Sequence, residues 1–256
     1  MKLFILFISL FILNTSLFSQ EVITLKTRDN LTQSFLLEIP KNEPKAIVLL
    51  FPGGSGRINL YKPKNKWITT NFLISSRAYF LDNDFIIASI DAPSDKQSKD
   101  GLYYNFRDSK EHLYDIKKVI NYLKDKYNKP IWLIGTSRGT ESVAFMASEE
   151  SDLINGIVLS SSISKRNKKG KSLQELFLNE IEVPTLIISH KDDGCKITPP
   201  KGSIQIYDML NDKIKKEYKV FEGGKTEGAP CKAKSHHGYN GIEKEVVDYI
   251  SNWISK

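Results

Sequence analysis

A single serine lies between two glycines at residues 135–139, in the sequence GTSRG. This G-x-S-x-G pattern is typical of a nucleophile elbow, a strained strand-to-helix turn that exposes the serine hydroxyl for attack on a carbonyl group. The flanking segments suit that turn, since "PIWLIG" predicts a strand and "RGTESVAFMASEE" predicts a helix. An ordinary structural turn would give the same pattern, so the interpretation of Ser137 depends on partners elsewhere in the chain.

A serine nucleophile needs a histidine base and an acid that orients the base. Where the serine lies on a strand-to-helix elbow of this kind, the serine comes first in the chain, the acid second and the histidine last. The chain has four histidines. His112 lies on a predicted amphipathic helix, facing solvent or a partner residue, and His190 ends a predicted strand, where a structural role is favoured. His236 and His237 follow the last predicted strand, where the base is expected. We prefer His237, because the glycine after it allows the loop to turn towards the serine.

The acid is expected in the loop after the preceding strand, where Asp192 and Asp193 are both candidates. Either could instead be a solvated loop carboxylate. We choose Asp193 as the residue that orients the base.

The developing oxyanion needs two backbone N–H donors. One is expected from Arg138, directly after the serine, and the other from the glycine-rich loop "FPGGSG", for which we choose Gly54. A phosphate-binding loop is the alternative, but the chain has neither G-x-x-x-x-G-K-[ST] nor G-x-G-x-x-G.

These residues have to be positioned by an alternation of strands and helices. Two leading segments predict paired strands, and six short apolar segments predict further strands with helices between them, which is typical of an α/β fold with a mostly parallel sheet and helices on both of its faces. In such sheets, function gathers at the carboxyl ends of the strands. The length fits one domain. The strand segments are 21–28, 32–40, 45–51, 85–91, 130–135, 154–161, 183–190 and 215–222, and the clearest helices are 109–127 and 241–256.

The segments "FPGGSG", "SIDAPSD", "GTSRG", "HKDDGCKITPP" and "SHHGYNGIE" together resemble an exported bacterial branch of the α/β-hydrolase superfamily, over almost all of the mature chain. The resemblance implies a hydrolase fold with Ser137, Asp193 and His237 as catalytic residues and no metal or cofactor. The branch pattern H-x-x-D-x-C favours Asp193, and a histidine directly before glycine favours His237. Pro52 stands where many members have histidine, a departure that backbone donors tolerate.

Two further features concern the loops around the site. Cys195 follows the expected acid and Cys231 precedes the expected base, and in an oxidising compartment we expect them to form a disulfide rather than remain free. The segment 162–182 is too short for a full cap domain. The loop 91–106 is expected to overhang the site instead, with Tyr103, Tyr104 and Phe106 as walls or as packing residues.

The first residues, "MKLFILFISLFILNTSLFSQ", predict a signal peptide at 1–19, with the hydrolase domain at 20–256. The apolar run is short for a membrane span, although an uncleaved anchor is the alternative. We therefore expect a periplasmic or secreted protein with no stable membrane span after cleavage.

The net charge of +7 is scattered along the chain. The densest basic run, at 164–172, contains no aromatic residue for stacking on bases, so it indicates a solvated loop and not a nucleic-acid site. The expected partner is a small-molecule or polymer-linked acyl substrate. A peptidase or acyltransferase with the same residues, and a non-catalytic binding protein on this fold, are the alternatives.

Overall fold

The apolar segments form one continuous sheet in the computed structural model, which describes residues 19–256. The expected signal peptide lies outside these residues, apart from Ser19 at the start of the first strand. The strands are β1 (Ser19–Lys26), β2 (Thr32–Ile39), β3 (Ala46–Phe51), β4 (Phe85–Ile90), β5 (Ile131–Thr136), β6 (Gly156–Ser160), β7 (Thr185–His190) and β8 (Lys216–Phe221).

The strand order is β1-β2-β4-β3-β5-β6-β7-β8. The strands from β4 to β8 in this order are parallel, whereas β2 pairs antiparallel with both β1 and β4. Every residue of β3, β4, β5, β6 and β7 is buried. The mostly parallel sheet predicted from continuous apolar runs is therefore confirmed, since such runs suit strands covered on both faces.

Helices cover both faces of the sheet, as predicted. They are α1 (Phe72–Ser75), α2 (Arg77–Asp82), α3 (Lys110–Tyr127), α4 (Gly139–Glu149), α5 (Pro200–Met209) and α6 (Glu243–Ile254). The helices α3, α4 and α5 contribute to the apolar core on one face, and α1, α2 and α6 contribute to the core on the other. The sheet thus separates two hydrophobic cores.

The long helix α3 illustrates why these segments are helical. Ile116, Ile120 and Leu123 recur at three- and four-residue spacing and are all buried. The side chain of Ser109 caps the start by accepting a hydrogen bond from the His112 N–H, and the left-handed Asn128 ends the helix.

No cap domain covers the carboxyl edge of the sheet within the described part of the chain. Between β6 and β7, the only helical elements are short 3-10 turns at Leu173–Glu175 and Leu178–Glu180. The absence of a full cap, predicted from the length of this insert, is confirmed. Among residues 19–256, no helix combines the length and the hydrophobicity that a membrane span requires.

Candidate active site

Ser137 lies at the end of β5 in a backbone conformation that is rare for any residue other than glycine. Its φ is 52°, in the left-handed region. The Ser137 N–H donates to the Ser160 carbonyl (2.9 Å), and the Ser137 carbonyl accepts the Thr140 hydroxyl (2.6 Å). Neighbouring strand and helix therefore hold the serine in a strained turn, which is the local geometry of a nucleophile elbow.

The two glycines of the motif are required by close packing at this turn. A Cβ atom on Gly139 would lie 2.0 Å from the Phe51 carbonyl oxygen, and one on Gly135 would lie 2.6 Å from the Gly139 carbonyl oxygen. Any larger residue would push α4 away from β5 and β3. The glycines thus allow the serine to stand between a strand and a helix that touch each other.

His237 and Asp193 form a buried pair on loops that follow β8 and β7. His237 Nδ1 lies 2.9 Å from Asp193 Oδ2, and both residues are buried. Asp193 also accepts the Cys195 N–H (2.9 Å) and the Thr198 hydroxyl (3.0 Å). A ring that donates its Nδ1 proton to a carboxylate keeps the lone pair of Nε2 free to accept a proton.

Ser137 and His237 line the same cavity, whose volume is about 230 Å³. The Ser137 hydroxyl has no hydrogen-bond partner among residues 19–256. In enzymes without substrate, the bond between nucleophile and base is often long and tightens only in the complex. Proton transfer from this serine to His237 would therefore require the two side chains to come within hydrogen-bond distance.

The neighbouring candidates Asp192, His236 and His190 form a separate group. The Asp192 N–H donates to His190 Nδ1 (3.0 Å), and His190 Nε2 donates to the Gly223 carbonyl (2.8 Å). The ring of His236 stacks on His190 with centroids 4.4 Å apart. Potential ligand atoms of the three side chains cluster within 4.8 Å. Because both nitrogens of His190 are engaged by backbone groups, that side chain has no lone pair left for a metal ion.

Of the expected oxyanion donors, Arg138 directly follows Ser137, and Gly54 lines the same cavity as Ser137. Neither the Gly54 N–H nor the Arg138 N–H donates a hydrogen bond to a backbone carbonyl of residues 19–256. Gly53 comes still closer than Gly54, since a Cβ on Gly53 would lie 3.0 Å from Ser137 Cβ. The loop after β3 thus approaches Ser137 at Gly53.

A buried arginine that the sequence analysis missed holds this loop. Arg107 Nη2 donates to the carbonyls of Pro52 (3.0 Å) and Gly54 (3.2 Å), and Nη1 donates to Ser142 Oγ (2.9 Å). In a trans peptide the N–H points opposite to the carbonyl, so Arg107 fixes the N–H of Gly53 by binding the Pro52 oxygen. Burial lowers the pKa of Arg107 to about 10, which leaves the guanidinium charged at neutral pH.

The first turn of α4 carries a buried ion pair next to this arginine. Arg138 Nη1 lies 2.7 Å from Glu141 Oε2, and both side chains are buried. Burial raises the pKa of Glu141, while the positive charges of Arg138 and Arg107 oppose this shift. The side chain of Arg138 is therefore turned away to Glu141, and its backbone N–H is the group left for an oxyanion.

His112 belongs to the same buried cluster, which decides between the two alternatives expected for it, solvent or a partner residue. Its Nε2 lies 2.9 Å from Ser142 Oγ, so the partner-residue alternative is the right one. Burial, together with the positive charge of Arg107, lowers the pKa of His112 to about 3. The ring is neutral at physiological pH.

Of the three expected aromatic walls, only Tyr103 lines the cavity. Tyr104 is 63% exposed, and Phe106 packs against the Lys96 ammonium, 4.5 Å from the ring centre, and against His112. Periodicity cannot reveal this difference within an irregular loop. The other lining side chains include Pro52, Ser55, Arg57, Ile68, Thr70, Asn71, Phe72, Lys99, Lys232 and Ala233.

The expected disulfide between Cys195 and Cys231 is present. Cys195 lies two residues after Asp193, and Cys231 lies in the loop that leads to His237. The bond thus joins the loop of the proposed acid to the loop of the proposed base.

Solved structures with the same architecture cover most of this chain. It is similar to a cold-adapted esterase from an Arctic intertidal metagenomic library (15% identity, 91% of this chain and 93% of that chain, TM-score 0.63). It is also similar to an alpha-beta serine hydrolase homologue from Coxiella burnetii (15%, 91% and 97%, 0.63). A third similar structure is an α/β serine hydrolase without lid from Xanthomonas campestris (12%, 91% and 94%, 0.61). No protein-family model matches the chain, and no curated protein matches it. The fold of residues 19–256 is therefore that of the α/β-hydrolases.

Proposed function

We propose that this protein is a serine hydrolase that cleaves a carboxylic ester or amide through an acyl-enzyme intermediate. The observation that carries the proposal is the buried His237–Asp193 pair, whose His237 borders the same cavity as a serine held in a strained elbow. The esterase and serine hydrolases among the similar structures support this reaction class, and esters are the first substrates to test.

In the proposed mechanism, Ser137 Oγ attacks the substrate carbonyl while His237 Nε2 accepts the hydroxyl proton. The N–H groups of Arg138 and of Gly54 or the adjacent Gly53 stabilise the negative oxygen. His237 then returns the proton to the leaving alcohol or amine, which leaves an acyl group on Ser137. A water molecule, deprotonated by His237, attacks this ester, and His237 returns that proton to the Ser137 oxygen as the acid is released. Asp193 keeps the imidazole in the required tautomer throughout.

We further propose that the protein acts outside the cytoplasm after removal of residues 1–19. The disulfide between Cys195 and Cys231 supports export, because such bonds persist in oxidising compartments. Mass spectrometry of the protein recovered from its producing cells tests this, with an amino terminus at Gln20 as the expected result.

Labelling with a fluorophosphonate probe tests the reaction class. We expect the purified protein to be labelled on Ser137, and Ser137→Ala to lose the label. Ser148→Ala is the matched control. Ser148 lies on the same helix α4, and its hydroxyl donates to the Phe145 carbonyl, outside the site.

The same assay separates the two adjacent aspartates. Asp193→Asn should slow labelling by roughly 10³- to 10⁴-fold, because the amide would favour the wrong histidine tautomer. Asp192→Asn should label at a rate close to that of the wild type. An unlabelled wild-type protein that is folded by circular dichroism would contradict the proposed function.

A further inference from the structure

The cavity beside Ser137 is lined by three basic side chains and by no aspartate or glutamate. The basic residues are Arg57, Lys99 and Lys232. Arg57 and Lys99 lie on the side of the oxyanion loop and the overhanging loop, whereas Lys232 lies on the loop that leads to His237. Positive charge therefore borders the site from both sides, and a cleft with one sign of charge raises the local concentration of ligands of opposite charge.

None of these three cations is neutralised by a carboxylate of residues 19–256. Elsewhere on the surface, lysines such as Lys117 and Lys171 pair with acidic partners. In contrast, Arg57, Lys99 and Lys232 take part in no ion pair among the described residues. Their charge is available to a ligand in the cavity.

Arg57 is also held in place before any substrate arrives. Its Nη1 donates to the Gln97 carbonyl (3.0 Å), and its Nε has no hydrogen-bond partner. The backbone that follows is anchored on the buried carboxylate of Asp91, which accepts the N–H groups of Ile58 (2.6 Å) and Leu60 (2.8 Å). A half-buried guanidinium fixed at one nitrogen loses little side-chain entropy on binding, and its geometry matches a carboxylate.

We infer that the natural substrate is an anionic ester, with a carboxylate on the acyl group or on the leaving alcohol, close to the bond that is cleaved. This inference rests on the proposed function and deepens it by naming a substrate class. The reactive carbonyl would lie at Ser137, and the carboxylate would lie against Arg57 with Lys99 or Lys232 beside it. The apolar lining, which includes Ile68 and Phe72, would contact the chain between the two groups.

Two pairs of chromogenic or ultraviolet-detected esters test the inference. The first pair places the charge on the acyl group: mono-p-nitrophenyl adipate against p-nitrophenyl methyl adipate. The second places it on the leaving group: the hexanoate ester of 4-hydroxybenzoate against that of methyl 4-hydroxybenzoate. Each exposed cation strengthens the binding of an anionic group by about twofold to fivefold. With three cations at the site, we expect kcat/KM to favour the charged member of one pair by roughly tenfold or more. That preference should shrink as ionic strength rises.

Variants locate the origin of the preference. The triple variant Arg57→Gln, Lys99→Gln, Lys232→Gln should reduce the ratio of charged to neutral kcat/KM to about one in the favoured pair. A control triple variant, Lys124→Gln, Lys213→Gln, Lys215→Gln, removes the same charge from exposed positions in the last turn of α3 and just before β8. It should keep the wild-type ratio.

The possible failures are distinguishable. If the protein labels with fluorophosphonate and cleaves both members of each pair at equal rates, the anionic substrate is wrong and the serine hydrolase stands. Equal loss of preference in the two triple variants would assign the effect to net charge and would also overturn the inference. If Ser137 is not labelled and no ester is cleaved, both proposals are wrong.

Discussion

Hydrogen bonds hold the strained backbone of Ser137. The direction of the amide groups in the loop after β3 depends instead on one buried side chain. Arg107 binds the carbonyls of Pro52 and Gly54 and thereby sets the direction of the intervening amide groups. A lysine at this position could carry the charge, yet its single ammonium could not reproduce the flat fork that reaches both carbonyls and Ser142.

We therefore expect Arg107→Lys to lower kcat by roughly 10- to 100-fold while KM changes by less than about threefold, because only the charged transition state uses the misplaced donors. Steady-state kinetics on a reactive aryl ester gives both constants. Arg166→Lys, at an exposed arginine paired with Glu175, is the matched control. Thermal unfolding of each variant separates misplacement from loss of fold, and an unchanged kcat in a stably folded Arg107→Lys would contradict the role.

Ser137 and Arg107 differ in whether their place in the site can be predicted from the sequence. Chain order and the glycines beside Ser137 and His237 restrict the candidates to particular loops, and the family resemblance favours Asp193 over Asp192. Arg107 acts on a carbonyl 55 residues away in the chain. Contacts of that kind follow from the path of two irregular loops, and no local pattern encodes them.

Among the elements, the paired loops after β7 and β8 carry both the proposed acid and the proposed base. The disulfide between Cys195 and Cys231 connects them, and Cys195 also donates its N–H to Asp193. Closing a loop of this kind removes conformational freedom from the unfolded chain and restricts relative movement of its ends.

We expect the double variant Cys195→Ser, Cys231→Ser to lose roughly 2–4 kcal/mol of unfolding free energy and part of the proposed esterase activity. Urea unfolding and initial rates measure the two effects. Dithiothreitol should reproduce both in the wild type and should leave the double variant unaffected. Equal stability of the oxidised and reduced wild type would refute this.

The elements themselves were predictable to different degrees. The buried strands were predicted because they are continuous apolar runs, and the helices α3 and α6 because their apolar residues repeat at three- and four-residue spacing. The helices α1 and α2 have only four and six residues, too few for a periodic pattern to emerge. Their helical form depends on packing against the sheet, which is a tertiary effect.

For the molecule as a whole, the buried cluster beneath α4 links stability to pH. The pKa of His112 falls from its ordinary value of 6.5 to about 3 because the ring is buried beside Arg107. Between pH 6.5 and about 3, this histidine is mostly protonated in the unfolded chain and mostly neutral in the folded chain. The part of the unfolding free energy that depends on a neutral His112 is therefore complete above pH 6.5 and is lost as the pH falls towards 3.

We expect His112→Gln to show a shallower loss of unfolding free energy between about pH 6 and pH 4 than the wild type. The difference in slope should approach about 1.4 kcal/mol per pH unit, the value for one proton. Urea unfolding at a series of pH values measures it, with His236→Gln as a control outside the cluster. Parallel curves for wild type and His112→Gln would exclude this histidine as the source.

The disulfide has one more consequence, for how the chain can vary in length. Residues 195–231 form a covalently closed ring that contains both α5 and β8. Length changes at the exposed residues 212–213 of the connection before β8, within that ring, would be absorbed without separating Asp193 from His237. That connection is where this chain could accept an inserted peptide, such as an affinity tag or a binding loop, at little cost to its chemistry.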